Sequence, residues 1–320
     1  MTTEVHLAVD VMSGDHGLRS SIPASLKALR EFPRLRLHLV GNRAEIQQAL
    51  DADDDQRLTI EHSDSVIPMA ANVRTVLRSR PLGSSMAKSL DLLKQGVVSG
   101  VVSAGNTAAL MTLAKRSVGM RPGFSRPALC SAVPTTTGEC HMLDLGANVD
   151  SRPARLLEFA MMGTALARTL RPQTPARVAL LSNGSEASKG NRQVRRARKL
   201  LESSPLINFC GFIEADQIQQ GQADVVVCDG FTGNIALKAM EGTGRYLREQ
   251  LQSLQAGSGV SSAKLLRWMN PNRYNGAFLL GLNGVVVKSH GGSDAEGFLT
   301  AIRQALQCMK NPGMFSSAGE

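Results

Sequence analysis

Aromatic residues, long apolar runs and cysteine pairs are all scarce in this sequence. Aromatics make up 4% of the 320 residues, and no helix-turn-helix, zinc-finger or aromatic stacking pattern accompanies them, so we expect no nucleic-acid partner. No stretch reaches the roughly 18 apolar residues of a membrane-spanning helix, and the first residues lack the basic and apolar regions of a signal peptide. These absences predict a cytoplasmic protein without a transmembrane helix.

Cysteine usage indicates the same compartment. The five cysteines, at positions 130, 140, 210, 228 and 308, form no C-x-x-C pair, which favours reduced thiols over a disulfide framework or a zinc site. Cys228 follows an apolar strand pattern and is either a packed core residue or a nucleophile. We expect no bound metal and no cofactor.

Common catalytic motifs and an excess of acidic residues are also missing. The sequence contains no strand followed by G-x-G-x-x-G, no G-x-x-x-x-G-K-[ST], no H-E-x-x-H and no G-x-S-x-G, so the usual nucleotide, zinc and serine-hydrolase mechanisms are not indicated. The formal charge of +9 indicates an anionic partner. An acidic protein, a phosphate-bearing small molecule and an anionic membrane surface all satisfy it.

The overall amino-acid composition is typical of a folded globular protein. Hydrophobic residues make up 42% and charged residues 20%. We predict one α/β catalytic domain over residues 1–320, at a size where a single core begins to divide into two lobes. A helical projection is predicted at about residues 245–275, with a flexible link at Ala256–Ser262 and an amphipathic patch at Leu265–Met269. Such a patch packs on a partner subunit or lies on a membrane surface.

The segment Asp224–Lys238 carries the clearest local signal. Val225 to Val227 predict a strand buried on both faces, Asp229–Asn234 predicts a tight turn, and a helix is expected from Ile235 onward. A strand that turns sharply into a helix presents free amides and a positive dipole end, which suit an anion or a developing oxyanion. The alternative is a plain connection between a strand and a helix.

Five more apolar runs end in the same kind of small, polar turn. Together the six turns are Asp10–Gly17, Ala104–Thr107, Asp144–Asn148, Ser182–Glu186, Asp229–Asn234 and Lys288–Gly292. In an open parallel sheet these ends face one crevice, where ligands bind. The repetition favours a functional role for the turns.

A basic segment follows the fourth turn. Lys189–Lys199 holds six basic residues in eleven, at 189, 192, 195, 196, 198 and 199. Such a segment is either a solvated helix face or a surface that faces an anion, and the sequence leaves both readings open.

Several blocks, in order along nearly the whole chain, identify a family resemblance. They are Asp10-x-Met-x-Gly-Asp-His16, Val102-Ser-Ala-Gly-Asn-Thr107, Asp144-x-Gly-Ala-Asn148, Lys189-Gly190, Val227-Cys-Asp-Gly-Phe-Thr-Gly-Asn234 and Leu279-Leu-Gly-Leu-Asn-Gly-Val-Val-Val-Lys-Ser-His-Gly291. The chain resembles the PlsX family of acyl-ACP:phosphate acyltransferases of bacterial phospholipid synthesis.

The resemblance implies a fold and a reaction. The fold is a Rossmann-like α/β/α sandwich with a mostly parallel sheet, akin to phosphotransacetylases and isocitrate dehydrogenase-like enzymes. The reaction moves a fatty acyl group from acyl carrier protein to inorganic phosphate. The resemblance also implies a homodimer, delivery of acyl phosphate to a membrane glycerol-3-phosphate acyltransferase, and peripheral contact with the inner face of the cell membrane around Leu254–Trp268.

The resemblance and the turns together give a set of expected site residues. Lys189 and Asn234 match positions that the family is thought to use in catalysis, Lys189 as a neutralising charge and Asn234 as an oxyanion donor. The residues expected to bind substrate are Asp10, Gly14, Asp15, His16, Ser103, Gly105, Asn106, Thr107, Asn148, Asp229, Gly230, Thr232, Gly233 and His290. His290 either assists proton transfer or braces its turn. Arg192, Arg195, Arg196 and Lys199 are expected to dock the acidic carrier protein.

Some positions depart from the family pattern. Ser13 and Ala108 stand where glycine is common, and Asn183 with Ser185 stand in place of an Ile-Gly-Glu-Glu run. Ser185 removes one carboxylate close to Lys189.

Three other functions compete with this interpretation. A phosphotransacetylase-like enzyme would use acyl-CoA. A metal- and NAD-dependent dehydrogenase would need paired helical aspartates, whereas the D-x-x-x-D here, Asp51–Asp55, is an acidic loop. A basic scaffold on a membrane or on RNA would bind without turnover, and it leaves the six turns unexplained.

Overall fold

The structure is a computed structural model that describes residues 4–50, 55–72, 83–258 and 271–309. Its strands are β1 Val5–Asp10, β2 Leu35–Gly41, β3 Leu58–His62, β4 Gly100–Ser103, β5 Ala128–Thr135, β6 Gly138–Leu143, β7 Arg177–Leu181, β8 Asn208–Ile213, β9 Val225–Val227, β10 Ala277–Leu280 and β11 Val285–Lys288. Its helices are α1 Leu18–Glu31, α2 Arg43–Leu50, α3 Ser85–Lys94, α4 Thr107–Ser117, α5 Pro153–Leu170, α6 Arg192–Glu202, α7 Gly230–Ser258 and α8 Ala295–Met309, with 3₁₀ turns at Ala215–Gln220 and Pro271–Tyr274.

The chain divides into two compact units. The terminal unit comprises Met1–Pro127 with Asn275–Glu320, and the central unit comprises Ala128–Tyr274.

The terminal unit is built on strands in the order β3-β2-β1-β4-β11-β10. They are parallel except for β10, which runs antiparallel to β11. Helices α1, α3 and α8 pack against this sheet, and α1 is tied to α8 by an ion pair between Glu31 and Arg303 at 2.6 Å. Both faces of β2 are covered, since His38 and Val40 are buried along with Leu35, Leu37 and Leu39. A parallel sheet covered by helices buries both faces of its strands.

The central unit has strands in the order β5-β6-β9-β7-β8. The β5-β6 pair is antiparallel and the other pairs are parallel. Helix α5 packs on β9 and α6. It approaches β9 so closely that a Cβ at Gly163 would lie 2.5 Å from Cγ1 of Val225. Nine of the 18 residues of α5 are buried, and its exposed residues are Ala154 and Arg168, as expected for a helix that packs one face against a sheet.

Helix α7 begins five residues earlier than the sequence predicts. We expected a turn over Asp229–Asn234 and a helix from Ile235, but the helix starts at Gly230. It continues through Ser258, three residues into the link that we predicted to be flexible. The rest of that link and the patch at Leu265–Met269 lie outside the described residues, as does most of the acidic segment Asp51–Asp55.

Across the described ranges, none of the helices combines the length and the apolar character that crossing a bilayer requires.

Candidate functional site

The six predicted turns follow neighbouring parallel strands within each unit. In the terminal unit they follow β1, β4 and β11, whose last residues Asp10, Ser103 and Lys288 occupy paired positions. In the central unit they follow β6, β9 and β7, which are also adjacent and parallel. Each unit therefore gathers three polar turns at one edge of its sheet, where open α/β sheets bind ligands.

Asp144 organises the edge of the central unit. It is fully buried at the end of β6. One carboxylate oxygen accepts from the amides of Leu129 and Ala147 at 2.9 and 3.1 Å. The other accepts from the amide and the side chain of Asn148 at 2.6 and 2.9 Å. Burial raises the pKa of Asp144, and these four N–H donors oppose that shift because they favour the carboxylate.

The loop Asp144–Val149 lies against the first turn of α7. The amide of Gly230 donates to the Asn148 carbonyl at 2.8 Å, and the amide of Phe231 donates to the Val149 carbonyl at 3.3 Å. A Cβ at Gly230 would lie 2.6 Å from the Asn148 carbonyl oxygen, and one at Gly233 would lie 2.0 Å from the Asp144 carbonyl oxygen. Both glycines are therefore required by the close approach of loop and helix.

This packing changes the role of the Gly230–Gly233 amides. We expected them to be free to hold phosphate. Instead, the amides of Gly230 and Phe231 donate to the loop, that of Thr232 to the Asp229 side chain at 2.8 Å, and that of Gly233 to the Asp229 carbonyl at 2.9 Å. All four donors are engaged, so the anion-binding prediction for these amides does not fit this conformation.

Asn234 lies at the surface beside this loop. Its side chain is exposed, and its Cβ and Cγ lie 3.8 Å from the point where a Cβ on Gly146 would stand. A residue with its amide open to solvent and its stem against a fixed loop can donate to a substrate oxygen without a large rearrangement.

Lys189 follows the end of β7, the strand next to β9. Its side chain is exposed and crosses Gly184 so closely that a Cβ there would lie 2.6 Å from Cγ of the lysine. The next residue, Gly190, has φ 85° and donates its amide to the Asn183 side chain at 2.9 Å. Asn183 therefore fixes the turn that carries Lys189. The central unit thus places Lys189 and Asn234 after neighbouring strands.

Helix α6 begins directly behind Lys189. Asn191 caps it by accepting from the amides of Gln193 and Val194, both at 2.9 Å. Arg195 donates to the Gly190 carbonyl at 2.5 Å, which ties the helix to the lysine turn.

The four predicted docking residues share one face of α6. Arg192, Arg195, Arg196 and Lys199 are exposed and stand at helical spacing along a groove of about 470 Å³ that is also lined by Ala187, Arg198 and Glu202. Arg198 differs from these four because it pairs with Glu202 at 2.7 Å and lies over the Phe212 ring. No acidic residue stands in the first turn of α6.

In the terminal unit, Asp10 joins the ends of β1 and β4. It is fully buried, and one oxygen accepts from the hydroxyls of Ser13 and Ser103 at 2.5 and 2.7 Å. Ser103 in turn accepts from the amide of Gly105 at 3.1 Å. Burial raises the pKa of Asp10, while the serine hydroxyls act in the opposite direction. Ser13, which stands where the family usually has glycine, thus adds a donor to this carboxyl group.

The turn after β11 packs on the turn after β1. The amide of Asp15 donates to the Gly291 carbonyl at 2.9 Å, and a Cβ at Gly14 would lie 3.0 Å from that same oxygen. His290 is exposed, and its Nδ1 accepts from the amide of Gly292 at 3.2 Å, a contact of the bracing kind. Its amide donates to the Asn275 side chain at 2.9 Å.

The other predicted residues of this unit belong to helix starts. Asn106 caps α4 by accepting from the amide of Ala109 at 2.9 Å, and its NH₂ group donates to the Met69 carbonyl at 2.6 Å. Thr107 is the first residue of α4. His16 is exposed just before α1, where its carbonyl accepts from the amide of Arg19 at 3.1 Å.

Two buried residues at these edges were missed or left open by the sequence analysis. Lys288 is buried, and its ammonium donates to the carbonyls of Ala104 and Ser289. The motif contained it, but a lysine at the end of a strand looks like a surface residue. Cys228 is buried and burial raises the pKa of its thiol, with the charges of Asp144 and Asp229 acting in the same direction. A thiol held neutral in this way is a packing residue.

Among the described residues, no group of three or more His, Cys, Asp or Glu side chains is placed to hold a metal ion.

Comparison with known proteins adds the family. Residues 5–314 match the family described as "Fatty acid synthesis protein". A relative named phosphate acyltransferase from Alcanivorax borkumensis is 44% identical over 329 residues and covers 98% of this chain and 97% of its own. One of the same name from Pseudomonas fluorescens is 45% identical, covering 94% of this chain and 93% of its own.

Solved structures support the fold. A phosphotransacetylase from Streptococcus pyogenes superposes with a TM-score of 0.67 at 20% identity, covering 96% of this chain and 94% of its own. A 4-hydroxythreonine-4-phosphate dehydrogenase from Klebsiella pneumoniae gives a TM-score of 0.56 at 13% identity, covering 96% and 99%. These likenesses confirm the predicted α/β fold, and the sequence relatives confirm the predicted family. The chain therefore belongs to the phosphate acyltransferases, within the family of fatty acid synthesis proteins, and is an acyltransferase.

Proposed function

We propose that the chain transfers a fatty acyl group from the thioester of acyl carrier protein to inorganic phosphate, and that the product is an acyl phosphate for phospholipid synthesis. Membership of the phosphate acyltransferases supports the acceptor and the reaction class. The carrier protein as donor is supported chiefly by one observation, the cationic face of α6 directly behind Lys189.

The chemistry of the transfer requires positioning more than a strong base. Phosphate titrates near neutrality, so one of its oxygens is already nucleophilic. That oxygen attacks the thioester carbonyl, a C–O bond forms, and the carbonyl oxygen becomes an oxyanion. When the C–S bond breaks, the sulfur leaves as a thiolate, which takes up a proton from solvent. The enzyme contributes alignment of the two substrates and stabilisation of charge.

Two residues of the central unit suit these tasks. The exposed ammonium of Lys189 would neutralise the phosphate or the oxyanion, and Asn183 and Gly184 hold its turn and its side chain in place. The amide of Asn234 would donate to the oxyanion from a helix start that is fixed by the Asp144 loop. One such donor contributes about 3–4 kcal/mol to transition-state stabilisation.

The arrangement of cations on α6 supports an acidic protein as the donor. Arg192 and Arg195 stand in the first turns of the helix, where the helix dipole disfavours positive charge by about 0.3–1 kcal/mol per residue. Charges that oppose the dipole are explained if an external anion meets them. An acidic protein that docks here would present its thioester next to Lys189, and the attraction would mainly raise the association rate.

Comparison of two donors tests this proposal. Palmitoyl carrier protein and palmitoyl-CoA would be supplied with phosphate to the full chain and to an Arg192→Glu/Arg196→Glu variant. We expect the charge reversal to raise KM for the carrier-protein donor at least about tenfold and to leave kcat/KM for the CoA donor within about twofold. An Arg198→Glu variant is the matched control, since Arg198 already pairs with Glu202. Equal activity of the charge-reversal variant and the wild type with the carrier-protein donor would refute docking on α6, and a strong preference for palmitoyl-CoA would favour the phosphotransacetylase alternative.

A further inference from the structure

Three exposed apolar side chains lie at the start of α7. Val149, Phe231 and Ile235 are 62%, 60% and 53% exposed. Single exposed hydrophobic residues are common on protein surfaces, but a group of large ones at one place usually marks a binding site.

The three residues belong to one rigid piece of backbone. The amide of Phe231 donates to the carbonyl of Val149 at 3.3 Å, so the loop and the helix start are joined at this point. Phe231 and Ile235 are four residues apart on α7 and therefore share a helix face. The buried glycines at 230 and 233 let the loop pack against the helix, so the backbone that carries the three side chains is fixed without a ligand.

Asn234 stands on the same part of the helix surface. At about 100° per residue, Phe231, Asn234, Ile235 and Lys238 all fall within an arc of roughly 100°. The two apolar side chains of the helix therefore lie next to the amide that we propose to hold the thioester oxygen. Lys238, paired with Glu241 at 2.7 Å, lies within the same arc one turn further along the helix.

This arrangement identifies one kind of occupant. A thioester whose carbonyl lies at Asn234 must place its first chain carbons within one helical turn of that residue. On the shared face, Phe231 and Ile235 are the apolar groups there, and Lys238 is held by its ion pair with Glu241. We propose that Val149, Phe231 and Ile235 form the surface on which the fatty acyl chain of the donor lies. This inference rests on the proposed function and assigns to that site the residues that select long acyl chains.

The expected effect follows from the burial of methylene groups. Each chain CH₂ removed from water contributes about a fourfold gain in binding. Replacement of one large apolar side chain by serine removes contact with several such groups. We therefore expect Ile235→Ser or Phe231→Ser to lower selectivity for a long chain over a short one by at least about tenfold.

The experiment measures kcat/KM for palmitoyl and butyryl carrier protein with phosphate, and compares their ratio. Tyr246→Ser is the matched control, because Tyr246 is 61% exposed on the same helix but about 22 Å along its axis from Phe231. The ratio should fall at least about tenfold in the Ile235 and Phe231 variants and stay within twofold of wild type in the control. Surface replacements of this kind leave stability nearly unchanged, and thermal unfolding verifies that each variant is folded.

Three outcomes would overturn the inference. If both donors lose activity equally, the patch positions Asn234 and does not bind the chain. If the ratio is unchanged but light scattering detects a smaller assembly, the patch is an interface between copies of the chain. If wild type transfers neither acyl group to phosphate, the proposed function itself fails, and this last result is distinguished from the others by the wild-type measurement alone.

Discussion

The contact between Gly233 and the Asp144 loop leads to a prediction in which two similar replacements have opposite effects. Gly233→Ala places a methyl group 2.0 Å from the Asp144 carbonyl oxygen and 2.6 Å from the Cys228 sulfur. Non-bonded heavy atoms pack best at about 3.5–4.0 Å, so the loop or the helix must move. Both obstacles are buried and one is backbone, so no side-chain rotation can relieve the clash.

The matched control is Gly242→Ala on the same helix. No heavy atom lies within 4 Å of a Cβ at Gly242. Alanine there should stabilise the protein by about 1 kcal/mol, because glycine in a helix loses more backbone entropy on folding. At Gly233 the same gain is set against an overpacking cost of about 3 kcal/mol or more, which leaves a net loss of at least about 2 kcal/mol.

Urea unfolding followed by circular dichroism measures both free energies of unfolding, and the phosphate-dependent transfer rate is measured alongside. We expect the two variants to differ by about 3 kcal/mol, with Gly233→Ala the less stable. The Gly233 variant should also lose activity, since the same shift displaces Asn234. A Gly233→Ala protein as stable as Gly242→Ala would refute the close approach of loop and helix from which we built the site.

Three further predictions concern buried polar groups and the lysine turn. Asp144→Asn leaves part of the four-donor cluster without an acceptor and should reduce the free energy of unfolding by about 2–4 kcal/mol. Asp229→Asn keeps a helix cap, so it should leave the free energy of unfolding in urea nearly unchanged. Burial lowers the pKa of His141 from 6.5 to about 4. Its neutral ring therefore contributes stability that is present above pH 6.5 and is lost as the pH falls toward 4. Between pH 7 and pH 5 the free energy of unfolding should fall by about 2 kcal/mol, and His141→Gln should flatten that part of the stability curve. Gly184→Ala should displace the Lys189 side chain and reduce the transfer rate at least about tenfold. The free energy of unfolding should change by less than about 1 kcal/mol, because the obstacle is a flexible side chain. An unchanged rate would contradict the geometry of the lysine turn.

The sequence predicted those parts of the fold whose signals are local. The apolar run Val225–Val227 became β9, and the five apolar runs that end in the other polar turns became β1, β4, β6, β7 and β11. Strands β5, β8 and β10 were not predicted. β5 contains Pro134 and polar positions, and β8 stands last in the strand order with Gly211 in its middle. Their pairing partners, which are distant in sequence, stabilise these strands more than their own composition does.

For the site, too, local features could be predicted from the sequence, and contacts between distant residues could not. The residues at the strand ends were identified because a turn with glycine and a polar side chain is a local pattern. The reason for the glycines at 230 and 233 was not available locally, because the loop that crosses them lies more than eighty residues earlier in the chain. The same two glycines fit an anion-binding turn and a close packing contact, and it is the packing contact that the structure contains. The full set of four contacts to Asp144 could not be predicted from the sequence either, because one donor, Leu129, lies fifteen residues away on β5.

The proposed reaction is a phosphate-dependent acyl transfer that uses Lys189 and Asn234. The most direct measurement incubates the purified chain with palmitoyl carrier protein, with and without phosphate, and traps acyl phosphate as its hydroxamate with hydroxylamine. We expect hydroxamate only when phosphate is present, and a loss of at least about a hundredfold in Lys189→Ala and in Asn234→Ala proteins that remain folded. Full activity in both variants would contradict the site, and absence of product from the wild-type chain would contradict the reaction.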